Sequence, residues 1–127
     1  QLLETVSENN MIFADKNMIA TVFRNLISNA IKFTSKNGTI IIASKKQTDS
    51  NFLEISVTDT GVGIPQDKID DLFRIDKNTS TQGTENEKGT GLGLILCKEF
   101  VKKNSGKIWV ESEVDIGSKF IFTLPVI

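Results

Sequence analysis

Asn25-Leu26-Ile27-Ser28-Asn29-Ala30-Ile31-Lys32-Phe33-Thr34 carries two periodic patterns at once. With the residues before it, this stretch sets Ile19, Val22, Phe23, Leu26, Ala30 and Phe33 at helical spacing, an apolar stripe suited to a core. Asn25, Asn29 and Lys32 recur at i, i+4 and i+7. At about 100° per residue they fall within an arc of roughly 60°. That arc lies beside the stripe, where a polar strip can line a cleft while the helix stays docked. Asp15 is a good N-cap, so the pattern predicts a helix over Lys16–Phe33, ended by the turn Ser35–Gly38.

Outward from this helix the chain changes period. Thr39–Lys46 and Asn51–Thr58 are β-branched-rich runs around the turn Gln47–Ser50 and read as an antiparallel pair. Lys107–Glu113 and Ser118–Leu124 form a second pair around Asp115-Ile116-Gly117. Glu4–Val6 and Met11–Phe13 read as short strands near the start. Gln66–Phe73 suggests a short helix after Pro65, and Leu92–Lys103 an amphipathic helix with Gly106 as its C-terminal cap. From Arg74 to Lys88 the sequence is polar and long for an ordered loop, and it reads as a lid. The expected fold class is α+β, a two-layer sandwich of a mixed sheet with helices on one face.

Two glycine-rich stretches stand at the ends of these elements. Asp59-Thr60-Gly61-Val62-Gly63-Ile64-Pro65 closes a strand with a carboxylate and then two glycines. A carboxylate there can accept hydrogen bonds from an exocyclic amine, which distinguishes adenine from guanine. Gly61 and Gly63 let backbone approach a ligand or take positive φ, although a tight turn after a strand uses the same residues. Gly89-Thr90-Gly91-Leu92-Gly93-Leu94 leads into a helix, whose free N-terminal amides favour anions; a plain hinge would also suit it. It is not a Rossmann turn, because its pattern is G-x-G-x-G and it follows a polar loop rather than a strand. Nor is it a P-loop, for Gly-Lys followed by Ser or Thr occurs nowhere in the chain.

In order and spacing, NLISNAIKFT, DTGVGIP and GTGLGL resemble the N, G1 and G2 boxes of the ATP-binding catalytic domain of bacterial histidine kinases. That domain shares a superfamily with DNA gyrase, a heat-shock chaperone and MutL. The resemblance runs from about Ala14 to Pro125 and implies the Bergerat fold, with ATP and Mg²⁺ as ligands. It implies that Asn29 coordinates Mg²⁺ and that Asn25 and Lys32 contact phosphate oxygens. Gly89, Thr90, Gly91, Leu92 and Gly93 would wrap the phosphates. It assigns Asp59 to the adenine amino group, partly through a water held by Ser118, and packs Phe33 and Ile64 on the base. Many relatives have Tyr where Phe33 stands. Phe73 reads as a packing anchor, and Arg74 corresponds to an arginine that can reach the terminal phosphate, with an exposed surface arginine an equal alternative.

Composition limits what remains. A chain of 127 residues, 39% hydrophobic and 24% charged, reads as one globular domain, residues 1–127. With 15 Lys and Arg against 16 Asp and Glu, no net field draws it to nucleic acid or anionic lipid. Neither a nucleic-acid partner nor membrane contact by this domain is expected. Cys97, the one cysteine, lies in an apolar run and reads as buried packing in a reducing, cytoplasmic setting. No apolar stretch nears the roughly 20 residues of a membrane span. A first residue of Gln1 rather than Met reads as a piece cut from a longer protein, so the parent's relation to the membrane stays open.

The chain contains no histidine, so any phosphohistidine it makes must lie on another domain or chain. Hydrolysing relatives such as gyrase carry a glutamate, to activate water, one turn before the metal-binding asparagine. Here that position is Asn25, which cannot act as a base, and the resemblance therefore favours a kinase over an ATPase. The implied partners are a dimerisation and phosphoacceptor domain of the same parent, itself a homodimer, and a response regulator downstream. The alternatives are a serine-directed anti-sigma-type kinase of the same fold and a module that senses nucleotide without catalysis.

Overall fold

The structure is a computed structural model and describes residues 2–5, 14–35, 37–47, 50–73 and 92–126. In chain order the elements are β1 (Leu2–Thr5), α1 (Lys16–Phe33), β2 (Ile40–Lys46), β3 (Phe52–Asp59), α2 (Gln66–Ile69), α3 (Leu92–Lys103), β4 (Ile108–Glu113) and β5 (Gly117–Pro125). The strands form one five-stranded sheet in the order β1-β2-β3-β5-β4. β1 runs parallel to β2 and every other neighbour is antiparallel, so the sheet is mixed. The chain leaves β3, makes α2 and α3, enters β4 at the sheet edge and returns as β5 between β4 and β3.

α1 begins where its sequence requires. The Asp15 carboxylate accepts from the Met18 backbone N–H at 2.9 Å, satisfying one of the orphan donors of the first turn. Its apolar stripe buries Ile19, Val22, Leu26 and Ala30 against the sheet and α3. β5 answers with Phe120, Phe122 and Leu124. Phe23 packs on this core, its ring edge-on to Phe122 with centroids 5.3 Å apart. α1 and α3 therefore cover one face of the sheet, giving the two-layer arrangement expected from the pattern. None of the helices among the described residues is long and apolar enough to cross a membrane.

Several local expectations shift. Phe33, the last residue of the apolar stripe, is only half-buried and stands outside the core cluster. The helix after Pro65 spans only Gln66–Ile69, because the N–H groups of Asp71 and Leu72 bond three residues back, to Lys68 and Ile69, in tight turns. Leu72 and Phe73 nonetheless pack on the core, which leaves Phe73 as the anchor it was read to be. The cap of α3 falls one residue early. Ser105 takes the left-handed conformation (φ 68°), with its N–H on Lys102 O at 3.0 Å and the Gly106 N–H on Val101 O at 2.9 Å. These are the two bonds of a Schellman motif, with Ser105 where glycine is usual. The first strand runs Leu2–Thr5, while Val6, Met11–Phe13 and the supposed lid Arg74–Lys88 lie outside the described residues.

Candidate functional site

Asn25, Asn29, Lys32 and Phe33 occupy the C-terminal half of α1, and all four are half-buried, as a strip beside a core stripe should be. Lys32 Nζ stands 5.0 Å from the centre of the Phe33 ring. Asn25 faces the first turns of α3. A side-chain carbon at Gly93 would stand 3.5 Å from the Asn25 carboxamide, an ordinary contact, so packing against α1 does not itself demand glycine there. One turn further on, the Cys97 thiol donates to the Val22 carbonyl oxygen of α1 at 3.8 Å. Burial pushes that thiol up to about 12, which makes Cys97 a packing group and not a nucleophile. Thus the polar strip of α1 and the start of α3 meet, although 68 residues separate Asn25 from Gly93 (93 − 25).

The glycine turn after β3 is fastened on three sides. The Val62 N–H donates to the Phe33 carbonyl at 3.3 Å, joining the turn to the end of α1. The Val62 carbonyl accepts from the Asp115 N–H at 2.8 Å, and the Ile64 N–H donates to Ser112 Oγ at 2.8 Å. Gly61 lies so close to the Phe33 carbonyl oxygen that a β-carbon there would collide with it. Gly63 has φ 74° and faces the Glu113 carbonyl in the same way. Both glycines are thus required by backbone approach within the protein, before any ligand is considered.

Asp59 is the buried charge of this region, at 5% exposure. Its carboxylate accepts from the Gly61 N–H at 2.9 Å. Burial raises its pKa above the ordinary carboxylate value, and the Gly61 and Ser118 backbone N–H groups pull it partly back. A carboxylate offers about four lone-pair sites, so two N–H donors use only about half its accepting capacity. Strand register places Asp59 beside Ser118 on β5, and Ser118 beside Ser112 on β4. The next row on the same face is Val57, Phe120 and Val110, which belong to the core or pack against it. One polar row therefore closes the end of an apolar sheet face. An open depression of about 420 Å³ takes in Asp59, Ser112 and Ser118 with the outward-facing Thr58 and Lys119, and none of Asn25, Asn29 or Lys32.

Ser112 and the backbone ties of Val62 were not among the residues singled out in the sequence. Ser112 had one signal: it is a polar residue two places beyond Val110 on the core-facing side of a strand. Ile64 is half-buried and packs against the core, at the edge where the glycine turn ends. Arg74, Gly89, Thr90 and Gly91 lie outside the described residues, and of Leu92 only the backbone is described. No group of three or more His, Cys, Asp or Glu able to hold a metal occurs among the described residues. A neutral amide oxygen such as that of Asn29 can join an ion that takes most of its ligands from phosphate and water, as Mg²⁺ does.

Residues 14–127 match the family described as histidine kinase-, DNA gyrase B-, and HSP90-like ATPase. The adaptive-response sensory kinase SasA of Gloeothece citriformis is 40% identical over 115 residues, which are 91% of this chain and 28% of that protein. The chain thus spans less than a third of the length of the curated relatives it matches. Among solved structures, the nucleotide-free catalytic domain of the histidine kinase ThkA superposes with a TM-score of 0.79 at 34% identity, covering 98% of this chain and 76% of that one. Full-length ShkA, solved in complex with AMPPNP, gives a TM-score of 0.80 at 27% identity over 99% of this chain and 25% of that one.

Proposed function

Because the chain belongs to the histidine kinase-, DNA gyrase B-, and HSP90-like ATPase family, we propose that it binds Mg-ATP and donates the γ-phosphoryl group to a histidine on a separate phosphoacceptor domain. One observation carries the reading: the glycine turn after β3 is bonded both to the Phe33 carbonyl, at the end of the helix that carries the half-buried polar strip, and to the under-used Asp59 carboxylate. Asp59 accepts from the adenine amino group, with Ser118 beside it holding a water, and Phe33 and Ile64 flank the base. Asn25 and Lys32 take phosphate oxygens, joined by Gly93 and, outside the described residues, by Arg74, Gly89, Thr90, Gly91 and the Leu92 side chain. Asn29 is a ligand of Mg²⁺, which when bound supplies charge neutralisation between the phosphates.

Phosphoryl transfer asks the protein for positioning and charge more than for covalent help. Asn25 has no basic form at neutral pH and cannot activate water, which favours transfer to a supplied acceptor over hydrolysis. The chain has no histidine, so the acceptor belongs to another domain, and the phosphoryl group passes on to a response-regulator aspartate. Joined to its acceptor domain, this chain is expected to place the γ-phosphate of ATP on histidine as acid-labile phosphate. An intact two-domain protein that binds Mg-ATP and forms no phosphohistidine overturns the transfer step. Asn29→Ala is expected to lower nucleotide affinity with Mg²⁺ present and to change it little in EDTA. Calorimetry on residues 1–127 reads both, and equal affinity with Mg²⁺ removes Asn29 from the metal.

A further inference from the structure

We infer that Ser112 sets the base selectivity of the cleft by fixing which way the Ser118 hydroxyl points its hydrogen. The inference rests on the assignment of Asp59 and Ser118 to the base. Ser112 Oγ has three close partners: the Ile64 N–H at 2.8 Å, the Gly117 carbonyl oxygen at 3.0 Å and Ser118 Oγ at 2.8 Å. A hydroxyl offers one hydrogen and two lone pairs. The Ile64 N–H takes one lone pair, and a carbonyl can only accept, so the Ser112 hydrogen goes to Gly117. The remaining lone pair of Ser112 then receives the Ser118 hydrogen. This arrangement satisfies all three contacts. The reverse, with Ser112 donating to Ser118, leaves two oxygens facing each other at the Gly117 contact without a hydrogen between them.

Ser118, at 7% exposure, is thereby left with acceptor lone pairs only. It stands in register with the Asp59 carboxylate, which also only accepts when ionised. Two acceptors side by side recognise a donor, an amino group or the hydrogens of a bridging water. They repel a purine that carries a carbonyl oxygen in the place of the amino group. Ser112 touches no ligand in this scheme and acts through Ser118, as a positioning residue. It would make the base end of the cleft specific for an aminopurine by holding a hydrogen away from it.

The test compares Mg-ATP with Mg-ITP, whose base differs by a carbonyl oxygen in place of the amino group, on residues 1–127 by calorimetry. Ser112→Ala frees the Ser118 hydroxyl to donate, and the ATP-to-ITP affinity ratio is expected to fall about fivefold, the scale of one net hydrogen bond. Ser112→Thr keeps the hydroxyl and is expected to keep the ratio. A merely structural role would weaken both nucleotides together and leave the ratio where it was, and that result overturns the inference. Should Ser112→Ala fail to fold, Ser112→Cys gives the same readout, because a thiol is too weak an acceptor to hold the Ser118 hydrogen. Asp59→Asn, run alongside, separates the two failures. If it lowers the ratio while Ser112→Ala does not, only the inference falls. If it too leaves the ratio unchanged, the assignment of Asp59 to the base falls with it.

Discussion

A carboxylate as buried as that of Asp59 keeps its proton to a higher pH than it would in water, and the direction of that shift has consequences for stability. Between the unfolded pKa and the raised folded one, the folded chain holds more proton than the unfolded chain. Stability of the ligand-free fold therefore falls as pH rises through that window and is regained on acidification. In thermal melts without nucleotide, the Tm of the parent is expected to gain on that of Asp59→Asn as pH is lowered from 7. Parallel curves would show that Asp59 does not carry the shift. Affinity for Mg-ATP moves the other way, since an amino group donates to the ionised carboxylate, and weakens as Asp59 takes up its proton. The carboxylate was legible in the sequence because it ends a β-branched run and is followed by two glycines. Ser112, two strands along the same row, was not, because a lone serine on a strand looks the same in sequence whether it faces solvent or the end of a core row.

At the scale of elements, both long helices were readable to their ends, Lys16–Phe33 and Leu92–Lys103, because a 3.6-residue period over three or more turns averages out exceptions. Short elements have no such averaging. Gln66–Phe73 has enough apolar positions for a helix, yet after Ile69 its bonds tighten to three-residue turns, and α2 stops. The C-terminal cap of α3 shows the same limit: a glycine in view drew the cap to Gly106, while backbone geometry puts the left-handed residue at Ser105. Ser105 pays there for a β-carbon in a conformation that glycine adopts freely. Ser105→Gly is expected to stabilise the chain by about 0.5–1 kcal/mol, seen as a rise in Tm. A lower Tm would mean that the Ser105 side chain contributes more than the strain it carries.

Across the whole molecule, α1 and α3 are joined at the end remote from the candidate site. Asn104, just after α3, accepts the Asp15 N–H at 2.7 Å through its side-chain oxygen and donates from its amide nitrogen to Phe100 O at 2.7 Å. One asparagine thus fixes the start of α1 to the end of α3, 89 residues apart in sequence. Asn104→Ala is expected to cost about 1 kcal/mol of stability while leaving the Kd for Mg-ATP within twofold, because the tie and the site lie at opposite ends of the helices. A large loss of affinity in this variant would mean that the helix pair transmits strain along its length. From the sequence alone came the two long helices, the two hairpins, the polar strip on α1 and the glycine turn after β3, since each is written in local periodicity or in residues with special backbone freedom. The tertiary structure decided which strands neighbour one another, and with that the row Asp59–Ser118–Ser112 and the meeting of Asn25 with Gly93. Those contacts depend on β5 inserting between β3 and β4 and on one helix lying against another. They are set by long-range burial of apolar surface, which has no signature in any short stretch of chain.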